Sequence, residues 1–308
     1  MWPKFGAKFE EGWMALVRRG ARLDLAHVIA PSGKRPQIEA FDSFALGCDE
    51  TDALLKLRQA RGLKRFRCTT LLAQSGYSLI QIEAPAVPVE ERAQALRWRL
   101  KDAVDFPVDT AALGVVDIPT EGNRQASVFA IAAPVAVIGE QMTRFQQAKL
   151  PLEAIDVPEM ALRNVAALFE EANRGLAFLM LNNDESLLVI TYRGELCLSR
   201  RIEMSAAAVS PDDLDRRLQM RERLALELQR TLDNFDRQFG FVSVSRLIVA
   251  TEKDSAGLTA ALAENLYIPV VAMNLADVAD FAALPELQQP ERQAQGVLAI
   301  GAALRTAA

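Results

Sequence analysis

Residues 13–44 read WMALVRRGARLDLAHVIAPSGKRPQIEAFDSF. Three short apolar runs, 13–18, 22–29 and 36–44, are separated by Arg19-Gly20 and by Pro31-Ser32-Gly33. Gly and Pro between runs containing β-branched residues punctuate hairpins, so three strands of an antiparallel meander are expected. The pattern returns at 176–203, LAFLMLNNDESLLVITYRGELCLSRRIE. There the strands are expected at 176–182, 186–192 and 195–203, with turns at Asn182-Asn183-Asp184 and Arg193-Gly194. A helical pattern follows each triplet. A meander feeding a helix, twice, describes an α/β chain with two similar halves.

Outward from the triplets, a helix is expected at 50–61, strands at 68–73 and 77–83, and a helix at 89–104. Ala93, Leu96, Leu100 and Val104 fall on one face of that last helix. Strands at 111–118 and 126–132 follow, then a helix with Pro134 in its first turn that runs to 149, a strand at 152–157 and a helix at 158–172. In the second half, Ser210-Pro211-Asp212 has the composition of a helix start, and Gly240 that of a stop. Strands at 246–251 and 268–274 flank a helix at 255–265, and a last helix spans 291–305. The halves are expected at 1–157 and 158–308, with about 63–132 inserted in the first.

Of 308 residues, half are hydrophobic and 24% charged, an ordinary globular composition. The net charge of -5 argues against a general nucleic-acid binder. The basic cluster Arg58, Arg61, Lys64, Arg65 and Arg67 reads as a solvated helix end and loop. Cys48, Cys68 and Cys197 form no CxxC or Cys/His cluster. Neither a disulfide framework nor a metal site is expected, and buried thiols in a reducing compartment are. The first 13 residues lack the apolar core of a signal peptide, and the longest uncharged run, 125–139, is broken by Pro134. A cytoplasmic chain is expected, touching a membrane only through a partner. Trp2, Phe5, Phe9 and Trp13 recur at helical spacing, yet Pro3 and Gly6 weaken a helix, so a tail tucked against the first strand is expected. His27 has no nameable partner and reads as structural, and Ser32-Gly33-Lys34 reads as a turn.

Four blocks then stand in a distinctive order: RWRLKDAVDFPVD at 97–109, KLPLEAIDVPEMALRN at 149–164, LALELQRTLDNFDRQFG at 224–240 and LAIGAALR at 298–305. Their order and spacing resemble the PilM/MshI-like type IV pilus biogenesis proteins. The resemblance implies an actin-like (ribonuclease H-like) two-domain fold with an inserted α+β subdomain in the first half. It also implies a cytoplasmic scaffold, peripheral to the inner membrane, that holds the cytoplasmic tail of a bitopic PilN-like membrane protein. By holding that tail, the scaffold would couple the periplasmic pilus alignment complex to the cytoplasmic pilus motor ATPase.

In actin-like ATPases two hairpins close over the phosphates, using an Asp and backbone N–H groups at glycines. Here the first turn, Arg18-Arg19-Gly20-Ala21, lacks the Asp-x-Gly-Ser pattern. The second keeps Asn182, Asn183, Asp184 and Ser186 without a glycine. The loop counterpart to the adenosine site carries Glu252, Lys253 and Asp254 where glycines are expected. Side chains there block close approach and carboxylates repel an anion, so no cofactor is expected and ATP with Mg2+ is disfavoured. Any nucleotide would fall to Asn182, Asn183, Asp184, Ser186, Glu227 and Arg230, of which Glu227 and Arg230 share a helix face. The rival readings are an actin-like ATPase or nucleotide-regulated protein, and the cytoplasmic part of a GspL-like type II secretion platform. The partner groove is expected on the insert, at Trp98, Leu100 and Phe106 beside an open strand edge.

Overall fold

The computed structural model describes residues 9–47, 49–122, 124–184 and 186–305. In chain order the strands of the first half are β1 (Trp13–Arg19), β2 (Arg22–Ile29), β3 (Gln37–Ala45), β4 (Arg67–Leu71), β5 (Ser78–Glu83), β6 (Ala112–Asp117), β7 (Ser127–Ala133) and β8 (Leu152–Asp156). Those of the second half are β9 (Gly175–Leu181), β10 (Ser186–Tyr192), β11 (Glu195–Arg201), β12 (Val244–Thr251) and β13 (Val270–Ala272). Seven α-helices accompany them among the described residues: α1 (Glu50–Arg61), α2 (Val89–Leu100), α3 (Val135–Gln147), α4 (Pro158–Leu168), α5 (Leu214–Gln238), α6 (Ser255–Asn265) and α7 (Pro290–Ala303).

The strand order is β3-β2-β1-β4-β8 in one sheet and β11-β10-β9-β12-β13 in another. In both, three antiparallel strands are extended by two parallel ones. The duplicated meander is therefore present, and Arg193-Gly194 turns with φ of 54° and 76°, the conformation a tight hairpin requires. A third antiparallel sheet, β5-β7-β6, is the insert.

Alternation along β1 builds two cores. Met14 and Leu16 face Leu23, Leu54, Leu57 and Phe145, while Ala15 and Val17 face a larger core shared with α4, α7 and the second sheet. Every residue of β9 and β10 is buried, as befits strands covered on both faces. A small third core, with Leu96, Leu100, Val108, Val128 and Ala130, belongs to the insert. Helix α7 follows all the rest, and it lies against β1, β2 and β3 as well as α4 and β12. It therefore serves both halves, although the sequence places it in the second.

Several expected boundaries move, each for a local reason. The cap of α5 is Asp213, whose carboxylate accepts from the Arg216 N–H at 2.7 Å. Ser210 and Pro211 precede the helix, and the Val209 carbonyl just before them accepts from Arg221 Nε at 3.1 Å. Helix α2 stops at Leu100 rather than 104, and Arg97 on its last turn holds the carbonyls of Val108 and Ala111. Helix α4 ends at Leu168, four residues early. Pro134 caps α3 rather than lying in its first turn. Trp13 opens β1, so helical spacing does not extend to it; Gly12 before it has φ +82°, and a Cβ there would meet the Val28 carbonyl oxygen at 2.2 Å. Trp2 and Phe5 lie outside the described residues, as does Cys48. Buried His27 meets the Glu11 carbonyl at 2.9 Å and packs edge-on to Phe66. No helix among the described residues is long and apolar enough to cross a membrane.

Candidate functional site

The β1–β2 and β9–β10 turns, one from each half, meet across the molecule. Gly20 has φ +54°, and a Cβ there would lie 3.1 Å from Asp184 Oδ1. Between the turns lies a cleft of about 290 Å3, with Arg18, Arg19, Gln74, Pro158 and Asp184 in its walls. Beside it a second concavity of about 360 Å3 gathers Asn182, Asn183, Asp184 and Ser186 with Arg201 and Ser205. Four of the residues expected at a nucleotide are thus together. Three of them are already engaged within the protein. Asn183 Oδ1 accepts from the Ala207 N–H at 3.1 Å, and the Asn182 carbonyl accepts from Ala206 N at 3.1 Å and Ser186 Oγ at 3.3 Å. The remaining two lie outside that lining: Glu227 accepts from Arg200 at 3.3 Å, and Arg230 is exposed.

Arg19, which sequence reasoning passed over, dominates the cleft. It is only 5% exposed, and its three nitrogens reach three different segments. Nε donates to Asp24 Oδ2 at 2.9 Å on β2, and Nη2 to Glu252 Oε1 at 2.9 Å after β12. With the Asn182 amide turned so that its oxygen faces the guanidinium, Nη1 donates to Asn182 at 2.7 Å. Asp24, 1% exposed, also accepts from Ser43 Oγ at 2.5 Å and Arg22 at 3.2 Å. Burial works against the charge on Arg19, but the attraction of Asp24 and the hydrogen bond donated to Glu252 outweigh it and raise its pKa. The available signal was an Arg in a tight turn with an acid three residues into the returning strand.

The acids standing where glycines were expected have their own partners. Asp254, at φ +44°, accepts from the Gly257 N–H at 3.2 Å to cap α6 and pairs with Arg221 of α5. The cleft between the two turns is small. Its volume is at the low end of the ligand range of about 300–1,000 Å3. The carboxylate in its wall is Asp184, and its buried guanidinium, Arg19, is bonded through every nitrogen. No group of three or more His, Cys, Asp or Glu among the described residues is placed to hold a metal ion.

The insert carries the second candidate region. Leu100 is fully buried in the small core, so it is not presented to a partner; Trp98 is 77% exposed and Phe106 half-buried. The concave apolar surface lies elsewhere, in a groove of about 370 Å3 between β6 and β8. Leu72, Leu113, Val115, Ile138, Ile155 and Met160 line it. Both β6 and β8 are outermost in their sheets, so two free strand edges border one apolar trough. Near the domain junction, Glu159 is 2% exposed and accepts from Tyr77 Oη at 2.5 Å, with Arg201 at 3.9 Å. Burial raises its pKa, against the Tyr77 hydrogen bond.

This pair of equivalent sheets, with hairpins meeting over a cleft between them, defines the chain as a protein of the actin-like ATPase fold. No family model matches the sequence, and no curated protein does. Among solved structures the chain is similar to a PilM-PilN type IV pilus biogenesis complex, at 22% identity and a TM-score of 0.71, covering 96% of this chain and 98% of that one. It is also similar to the cytoplasmic domain of EpsL, an inner membrane component of the type II secretion system of Vibrio cholerae. That likeness has 12% identity and a TM-score of 0.51, over 96% of each chain. A protein of actin-like ATPase fold from Bacteroides thetaiotaomicron matches at 12% identity and a TM-score of 0.51, over 96% of this chain and 98% of that chain.

Proposed function

We propose that this chain is a non-catalytic scaffold of a type IV pilus assembly complex, and that it binds the cytoplasmic tail of a PilN-like membrane protein in the β6–β8 groove. The observation that carries the reading is the apolar trough bordered by two outermost strands. An extended segment laid there would pair with strand edges through its backbone and seat alternate side chains on Leu72, Leu113 and Met160. The likeness to a structure described as a PilM-PilN complex supports this choice of partner. A small cleft whose buried guanidinium is already bonded through every nitrogen supports the non-catalytic part. The location that follows is cytoplasmic, at the inner membrane through the partner.

The test is titration of a fluorescent peptide, copied from the cytoplasmic tail of the PilN-like protein of the same organism, with three variants. Leu113 and Ile138 are half-buried at the trough, and Leu113→Arg and Ile138→Arg should each weaken binding more than tenfold while the chain still unfolds cooperatively. Trp98→Ala, outside the trough, should bind normally. Loss of binding in Trp98→Ala with the trough variants unaffected would move the site to α2.

A further inference from the structure

The Arg19 cluster joins segments that are far apart in the chain. Arg19 and Asp24 belong to the first half, Asn182 and Glu252 to the second, and Arg19 lies 233 residues from Glu252. One arginine–carboxylate bond, Arg19–Glu252, and one amide bond, Arg19–Asn182, therefore join the two halves, while the buried Arg19–Asp24 bond fixes the guanidinium from within the first half. The charges balance locally, Arg19 and Arg22 against Asp24 and Glu252. The geometry is that of a guanidinium receptor: planar acceptors on three sides of one fork, each within 2.9 Å of a different nitrogen.

We propose that Arg19 is the chain's own ligand for the interdomain cleft, a built-in guanidinium that fastens the two halves together. The receptor, Asp24 with Asn182 and Glu252, recognises a cation, so the cleft selects guanidinium chemistry and rejects phosphates. A cleft latched in this way keeps its spacing without a diffusible effector. This conclusion stands on the cleft alone and is independent of what fills the β6–β8 groove.

The test uses the full chain and three variants. In Arg19→Ala the turn 182–186 and the loop 252–254 should exchange their amide hydrogens at least tenfold faster, and the melting temperature should fall by roughly 10 °C. Methylguanidinium chloride at tens of millimolar should restore much of that protection, whereas equal sodium chloride or methylammonium chloride should not. Should Arg19→Ala fail to fold, Glu252→Gln removes the charge of the far partner, which is at the rim, and should accelerate exchange at the same two segments. Arg19→Lys keeps the charge without the fork and should behave like Glu252→Gln. In the wild-type protein millimolar pyrophosphate should leave the melting temperature unchanged. Wild-type exchange at both segments in Glu252→Gln would overturn the latch, and so would stabilisation of the wild-type protein by pyrophosphate.

Discussion

Replacing Gly301 by Ala tests how closely α4 and α7 are packed. In isolation the change should help, because Ala favours a helix interior by roughly 0.5–1 kcal/mol over Gly. In the structure the new Cβ would lie 2.1 Å from the Ala161 carbonyl oxygen, 2.7 Å from its carbon and 3.1 Å from Val165 Cγ2. Two of these atoms are backbone and cannot swing aside, so the helices must separate by about 1 Å. A gap of that size forfeits a quarter to a half of the dispersion energy across it. It also stretches the bond from Asn164 Nδ2 to the Gly301 carbonyl, now 2.9 Å. Overpacking of this kind costs about 3 kcal/mol. After the helix gain the net loss is about 2 kcal/mol. With a urea m-value of about 3 kcal/mol/M, the unfolding midpoint should fall by about 0.7 M. Gly139→Ala in α3 is the control, since a Cβ there meets nothing within 4 Å, and its midpoint should rise. A Gly301→Ala protein as stable as wild type would refute the close crossing.

Glu159 binds its proton more tightly in the fold than when unfolded, so its contribution is fully present below the usual value of 4.5 and is lost as pH rises through the folded pKa. Glu159→Gln should therefore gain on wild type as urea midpoints are followed from pH 4 to 8, and a constant difference would contradict the burial argument. Leu100→Ala should cost about 2–4 kcal/mol, whereas Trp98→Ala should change stability by less than about 0.5 kcal/mol, as thermal unfolding can check. Burial pushes the Cys68 and Cys197 thiols up to about 12, so neither should react with a disulfide reagent at pH 8 until the chain is unfolded.

The meanders were legible because β1, β2, β9 and β10 carry apolar runs bounded by Gly, Pro and Asn, a signal contained in a few neighbouring residues. Helices α1 and α6 were equally local, since Asp49 and Asp254 cap them. The cap of α5 was misplaced because Ser210 and Asp213 both have capping chemistry, and nothing local ranks one above the other; the folded chain places the Arg216 N–H on Asp213. Arg19 was invisible for a different reason: Asp24 is on the next strand, but its other two acceptors, Asn182 and Glu252, come from the other half of the chain. The proposed groove pairing of Trp98 with Leu100 contained its own warning. Residues two apart on a helix point about 200° apart, so one faces the core when the other faces solvent.

Helix α7 has a consequence for how the chain is made. Its residues cover the inner face of the first sheet, where Phe41 comes so near Gly296 that a Cβ there would lie 2.6 Å from the ring. A ribosome delivers β1 early and α7 late. At synthesis rates of about 5–20 residues per second, roughly ten seconds separate the appearance of α4 from that of α7. Throughout that interval Ala15, Val17, Ala26 and Val28 form an apolar sheet face without its native lid. The first half is then dependent on a chaperone or on the nascent second half, and fragments that stop before residue 290 should aggregate rather than fold. Cooperative closure is deferred until α7 threads the two halves, which makes folding of this duplicated architecture a single late event rather than two successive ones.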